Sequence, residues 1–573
     1  MKKFSQVFFG LCIGFTLIVN LAAAGEKTLK RSKRVQDSTQ ITVVPWGPSQ
    51  ETVNAAKLRV ERSKAVQSEL SGTRYRLLEF NYVENDDKSQ PAQVPTRFQA
   101  VFYDYTNDRT LVAEGDFAGS ETISVSRAFY QPLPNDEEFN EAVQILQRDK
   151  NFSGQLRNET VKAFRPMPPT TVLDGTTERL VNIGLNARDN SGKNEVVSVS
   201  LKNGWVIRYD KGSPETSLAA PTSCGVSSAN QPTSSRGTAG QAQLTVSQGG
   251  SPLWEMLVIR PSASSGSSAS GIEVRDVKYK GKSVLKRGHV PILNVEYAGN
   301  QCGPYRDWQY QEDMFDAPAT GATDPAEGIR ILASGQIAQT VLDNGTDTGN
   351  FRGVAIYTQN KETVLVTELQ AGWYRYIMEW RFADDGTIRP RYGFGAINNS
   401  CVCFAHNHHA YWRFDFDIVN TNNKIFQVER GRKFLQPILT ERFQNKNIQT
   451  NRSLLIQNST GDEAYMLVPN ITDGIVDTFG AHDFWVLRYK SVPGGSFVQN
   501  EIDDGRFCCG GNSQGIAIDS WVNNEPVANQ DIVVWYGAHF IHSDDTNLIS
   551  PDRSGEILTS SYVVGPDIRP VRW

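Results

Sequence analysis

The chain has 573 residues, 39% of them hydrophobic and 10% aromatic, with 58 Lys+Arg against 63 Asp+Glu and a formal net charge of −5. At ~100–200 residues per domain this length accommodates three or four domains, and the composition is that of a folded globular protein. The near balance of charge argues against a nucleic-acid binder, which would carry a clustered basic surface.

Lys2 and Lys3 precede an apolar run over residues 7–19, and Ala22, Ala23 and Ala24 offer a small-residue cleavage site before Gly25. Residues 1–24 therefore read as a signal peptide. An uncleaved anchor is the competing reading, but Asn20 interrupts the run before it reaches ~20 residues. Export places the protein in a secreted or periplasmic setting, with no stable membrane insertion after signal removal. Cys12 would leave with the signal. The remaining Cys224, Cys302, Cys401, Cys403, Cys508 and Cys509 permit up to three disulfides of open connectivity. An oxidising compartment favours disulfides over the rival reading, a thiolate metal site.

Residues 25–60 are polar, with a basic cluster over 27–34, and read as a loosely ordered lead-in. Residues 61–131 give a short helical stretch and then alternating strands at 74–80 and 97–103. Residues 132–217 repeat that order. Their helix, predicted over 136–147, places Phe139, Ala142, Val143 and Leu146 on one face, and strands follow at 179–185 and 195–201. Each reads as a small α+β domain. Residues 218–251 are rich in Ser, Thr, Gly, Ala, Pro and Gln, the composition of a flexible linker. A Ser-rich patch at 262–270 reads as a surface loop. From 252 to 573 short alternating strands and Gly/Asn turns continue without a long helical pattern, as in a large β-sandwich. The expected fold class is mainly β: a large C-terminal β-sandwich preceded by two small α+β domains.

Three of the seven histidines fall at His406, His408 and His409, at the start of a predicted strand. Alternate strand residues share a face, so His406 and His408 can grip one ion while His409 points away. Arg413, Asp415 and Asp417 follow on that strand. Far downstream, residues 531–542 read Asp-Ile-Val-Val-Trp-Tyr-Gly-Ala-His-Phe-Ile-His.

Together these segments resemble the copper amine oxidase family: an H-x-H leading into an aromatic R-x-D-x-D strand, then a late D-x-V-x-W-Y strand with a histidine seven residues beyond its Trp. The resemblance selects His542 over His539 as the third ligand beside His406 and His408. Three imidazoles with open positions suit a redox copper ion, although zinc or iron would be chemically admissible. It also implies a calcium site of Asp415, Asp417 and Asp531 with the carbonyls of Phe416 and Ile532, a hard oxygen set.

The stretch from Gln370 to Trp380, followed by Asp385-Gly-Thr-Ile, is similar to the family strand whose tyrosine becomes topaquinone. That places Tyr374 at the cofactor position. Gln370, Trp373 and Arg375 stand where the family pattern has Thr, Asn and an acidic residue. Residues 294–297, Asn-Val-Glu-Tyr, resemble the strand whose Tyr, here Tyr297, contacts the quinone. Residues 314–317, Met-Phe-Asp-Ala, resemble the base segment and mark Asp316 as the catalytic base, with Asp313 as the alternative. The resemblance implies a homodimer that oxidises a primary amine with O2 to aldehyde, ammonia and hydrogen peroxide. Two other readings stand beside it: a copper-binding relative lacking the quinone, with a binding or structural role, and an exported β-sandwich that holds only calcium.

Overall fold

The computed structural model of the chain describes residues 39–83, 93–128, 131–165, 179–187, 195–208, 225–297 apart from 230 and 267, 305–398, 402, 406–474 apart from 472, 482–490, 518–542 and 563–573. The signal segment and all seven cysteines lie outside these residues. No helix among the described residues is long and apolar enough to cross a membrane.

Two large sheets form the C-terminal part. The first has ten strands: nine run in order through Gln40–Trp46, Gln241–Gln248, Ser251–Ile259, Glu273–Tyr279, Lys282–Tyr297, His406–Phe416, Ile532–His542, Phe484–Arg488 and Arg442–Gln444, and the short Tyr305–Arg306 pairs with Lys282–Tyr297 off this path. The second has twelve, with Glu362–Ala371, Tyr374–Ala383 and Ile388–Ala396 adjacent near its middle. Their apolar faces meet in one buried cluster that includes Leu244, Trp254, Val295, Tyr376, Trp380, Trp412 and Val534. This is the expected mainly-β sandwich.

Two four-stranded sheets belong to the small units ahead of it. Helix Asp136–Leu146 is fixed by reciprocal capping: the Glu138 N–H donates to Asn135 Oδ1 (3.0 Å) and the Asn135 N–H to Glu138 Oε2 (3.3 Å). It buries Ala142 and Leu146 against the 180–201 strands, with Phe139 and Val143 packed beside them.

Three expectations are corrected. Within the expected lead-in, Gln40–Trp46 is a strand that pairs along its whole length with Gln241–Gln248. Helix Gln50–Arg62 then follows, started by Ser49, whose hydroxyl accepts from the Thr52 N–H. It sends Val53, Ala56 and Val60 into the core of the first small unit, which thus begins near residue 50 rather than 61. The second half of the expected linker contains the strand Gln241–Gln248, second from the edge of the ten-stranded sheet, whose Ala242, Leu244 and Val246 are buried. The Ser-rich patch is interior as well: Ser262, Ser264, Ser268 and Ser270 are all buried. Their polar groups find partners both near and far along the chain. Ser262 donates from its N–H and its hydroxyl to Glu312 (both 3.1 Å), and the Ser270 hydroxyl donates to the Ser265 carbonyl (2.5 Å).

Candidate metal centre and its tyrosine

The histidine strand His406–Phe416 lies between Lys282–Tyr297 and Ile532–His542, hydrogen-bonded on both edges and thus rigidly placed. His406 and His408 are buried on one face with ring centroids 4.9 Å apart. Phe394 stacks on His408 at 4.5 Å, and Phe540, opposite His408 in the ladder, stacks on Phe394 at 5.3 Å. The backbone register sets His542 directly across from His406 on one side and Tyr297 across from it on the other; their side chains are outside the described set.

The pleat sends His409 the other way. Its Nδ1 faces His539 Nδ1 at 2.8 Å, and His539 Nε2 lies 3.0 Å from Asp483 Oδ1. Both are buried. His539 is therefore engaged on the face away from His406 and His408.

In the second sheet, the hairpin joining Glu362–Ala371 to Tyr374–Ala383 turns through Gly372 and Trp373. Gly372 adopts φ +59°, a conformation that favours glycine. Pairing of Ala371 with Tyr374 closes the turn, so Tyr374 opens the strand and points inward. Its hydroxyl hydrogen-bonds with His406 Nε2. Its ring centroid lies 4.6 Å from that of His408, edge to face, and 5.8 Å from that of His406. Tyr376 lies flat against Tyr374 at 5.1 Å and 4°, and the Tyr376 hydroxyl donates to Asp307 Oδ2. At the turn, Trp373 meets Phe164 of the second small unit edge to face at 5.2 Å.

Arg375 points to the opposite face. Its Nε lies 2.6 Å from Asp313 Oδ2 and donates to Asp347 Oδ1 at 2.6 Å. Glu368 completes the group: one ligand oxygen each from Asp313, Asp347 and Glu368 lies within 4.8 Å of the others. All four side chains are buried. Burial pushes the Asp313 carboxyl up to about 6, with Arg375 opposing the rise. Burial, and then the Asp313 charge, hold the Glu368 carboxyl well above the usual range. Of the two candidate bases, Asp313 thus sits in this charged group across the sheet from the Tyr374 ring. Asp316 is half-buried, bonded through its backbone to Gln339 (3.0 and 2.8 Å), between Phe315 and Ala317, which pack with Ile377.

At the far end of the histidine strand, one oxygen each from Asp415, Asp417 and Asp531 lies within 4.8 Å of the others. Phe416 pairs with Ile532 beside them. Nine residues at ~3.3 Å separate Asp415 from His406, about 30 Å, so the two groups are independent.

The structure therefore brings Tyr374, His406 and His408 together and sets His542 and Tyr297 in register with them. It adds residues that sequence reasoning missed. Tyr376 could have been found from its position two residues after Tyr374, on the same face of the same strand. Asp307, Phe394 and Phe164 come from distant segments and left no such signal.

Compared with solved structures, the chain is similar to a copper-containing benzylamine oxidase from Hansenula polymorpha at TM-score 0.59 and 13% identity, over 92% of this chain and 97% of that one. It is also similar to an amine oxidase from Aspergillus nidulans (TM-score 0.55, 14% identity, 92% and 88% covered) and to a lysyl oxidase from Pichia pastoris (TM-score 0.54, 12% identity, 92% and 89% covered). The fold is shared across nearly the whole chain. No protein-family model and no curated protein matches the sequence.

Proposed function

We propose that this chain is a copper- and topaquinone-dependent primary amine oxidase. The observation that carries the reading is the contact between the Tyr374 hydroxyl and His406 Nε2, beside His408, with His542 in register across the ladder. Two imidazoles on one buried face, a third at the neighbouring ladder position and a tyrosine oxygen make a donor set that fits copper. In this reading His406, His408 and His542 hold the ion, and the tyrosine strand carries Tyr374 to it. With copper and dioxygen, Tyr374 would be oxidised to topaquinone, which would take electrons from a primary amine and release aldehyde, ammonia and hydrogen peroxide.

Tyr297, opposite His406 in register, is assigned to orient the ring. The resemblance of residues 314–317 to the family's base segment assigns removal of the substrate proton to Asp316, with Asp313 as the alternative. Asp415, Asp417 and Asp531, with the carbonyls of Phe416 and Ile532, are assigned to calcium; their mutual approach supports this. The run containing Phe434, Leu439, Phe443 and Ile448 leaves large apolar side chains 84%, 60%, 41% and 63% exposed. We assign that surface to a second copy of the chain, a homodimer, expected to sediment at twice the mass of one signal-free chain. The pattern at residues 1–24 supports a secreted or periplasmic location.

A second reading, a copper-binding relative without the quinone, is favoured by Trp373 packing on Phe164 and by Arg375 in its carboxylate pairings. One experiment separates the two. Metal-free protein is given copper in air and its visible spectrum is followed, then phenylhydrazine is added. The oxidase reading expects a coloured band that shifts on adduct formation and is absent in Tyr374→Phe. Copper bound at one per chain with no band in the unaltered protein would establish the second reading.

A further inference from the structure

The hydrogen bond to His406 fixes where the Tyr374 oxygen sits. It does not fix the tilt of the ring. What lies flat against that ring is Tyr376, at 4°. Tyr376 is in turn boxed by Phe394 and His408, edge to face at 5.7 and 5.9 Å, and by Tyr392 at 5.7 Å. Its free end is tied by the hydroxyl donated to Asp307. Asp307 has no solvent exposure, and its N–H donates to the Leu293 carbonyl (2.8 Å) on the strand that pairs with the histidine strand.

A carboxylate is an expensive residue to place among aromatic rings, and it is tolerated there only when hydrogen bonds hold it. A hydroxyl donated to a carboxylate is also shorter and stronger than a neutral pair. We infer that Asp307 is a positioning residue for the reactive tyrosine. By anchoring the Tyr376 hydroxyl it keeps that ring parallel to Tyr374, and so fixes the plane that Tyr374 presents beside His406 and His408. Asp307 acts through Tyr376. The geometric part stands on the contacts alone; its chemical consequence rests on the quinone reading.

Three variants test it. Tyr376→Phe keeps the ring and removes the hydroxyl, Asp307→Ala removes the acceptor, and Asp307→Asn keeps an oxygen acceptor in place. Crystal structures of the metal-free proteins should show parallel rings in the unaltered protein and in Asp307→Asn. In the other two the rings should tilt apart by about 30° or more, a full departure from the present rotamer. On copper addition in air, all should bind one copper per chain. The visible band should form about ten-fold slower in Tyr376→Phe and Asp307→Ala, with Asp307→Asn restored to near the unaltered rate. A merely structural role would not split copper content from band rate in this way. Parallel rings and an unaltered rate in Tyr376→Phe would overturn the proposal, and that variant carries the test if Asp307→Ala fails to fold. Copper binding without any band in the unaltered protein would sink the oxidase reading instead, leaving the ring angles to decide this one.

Discussion

Alternate residues of the strand Tyr374–Ala383 face two environments that share almost nothing. On one side Tyr374 and Tyr376 stand with His406 and His408 among aromatic rings. On the other, Arg375 is held by Asp313 and Asp347 beside Glu368. The first side carries imidazole and phenol rings packed against one another; the second carries charges that compensate one another inside the protein. Residues adjacent in sequence are thus separated by the thickness of a sheet. Arg375, next to Tyr374 in sequence, therefore belongs to a network that the Tyr374 ring does not face.

The largest effect that would break this contrast comes from Arg375→Met. It strands Asp313 and Asp347 as buried carboxylates, so denaturant unfolding should show a loss of about 3–5 kcal/mol, while copper still binds. A loss under about 1 kcal/mol would mean the far face is not a tightly coupled charge group.

Glu368→Gln sharpens the same contrast through pH. The Glu368 and Asp313 carboxyls titrate above their ordinary values in the folded chain, so the folded state binds these protons more tightly than the unfolded state does. Their contribution is complete at low pH and is lost as pH rises from about 4 through about 6 and above. Removing Glu368's titration should make the variant lose less stability than the unaltered protein as pH rises from 5 to 8, read by denaturant midpoints at each pH. Parallel pH curves for the two proteins would contradict the assignment.

The smallest effect concerns the other end of the histidine strand. If Asp415, Asp417 and Asp531 hold calcium, a tenfold excess of the ion over its Kd should raise stability by about 1.4 kcal/mol, and Asp417→Asn should remove that response. Copper content should not change, because the two groups lie about 30 Å apart. Coupled loss of both metals would mean that the ends of the strand are not independent.

Much of this was legible in the sequence because it obeys period two. His406 and His408 share a face, and His409 leaves it. The mainly-β sandwich with two α+β units follows from the same alternation. Where composition was read instead of alternation, the reading erred. Gln241–Gln248 looks like linker by its Gln, Ser and Thr content, yet Ala242, Leu244 and Val246 alternate inward. The Ser-rich patch looks solvent-loving, but the partners that satisfy its buried hydroxyls include Glu312, fifty residues away. The Arg375 network was not legible, since Asp313, Asp347 and Glu368 meet it only through the folding of separate segments. The role of Asp307 has the same origin, being defined by a tyrosine 69 residues downstream.

The central claim is that imidazoles from the histidine strand, the tyrosine beside them and the ladder position opposite enclose one redox metal. Anomalous X-ray scattering at the copper edge from copper-loaded crystals tests it directly. A single peak at about 2.0–2.1 Å from a ring nitrogen of both His406 and His408, close to Tyr374, is the expected result. A protein that takes up copper with no peak between those two rings would contradict the account.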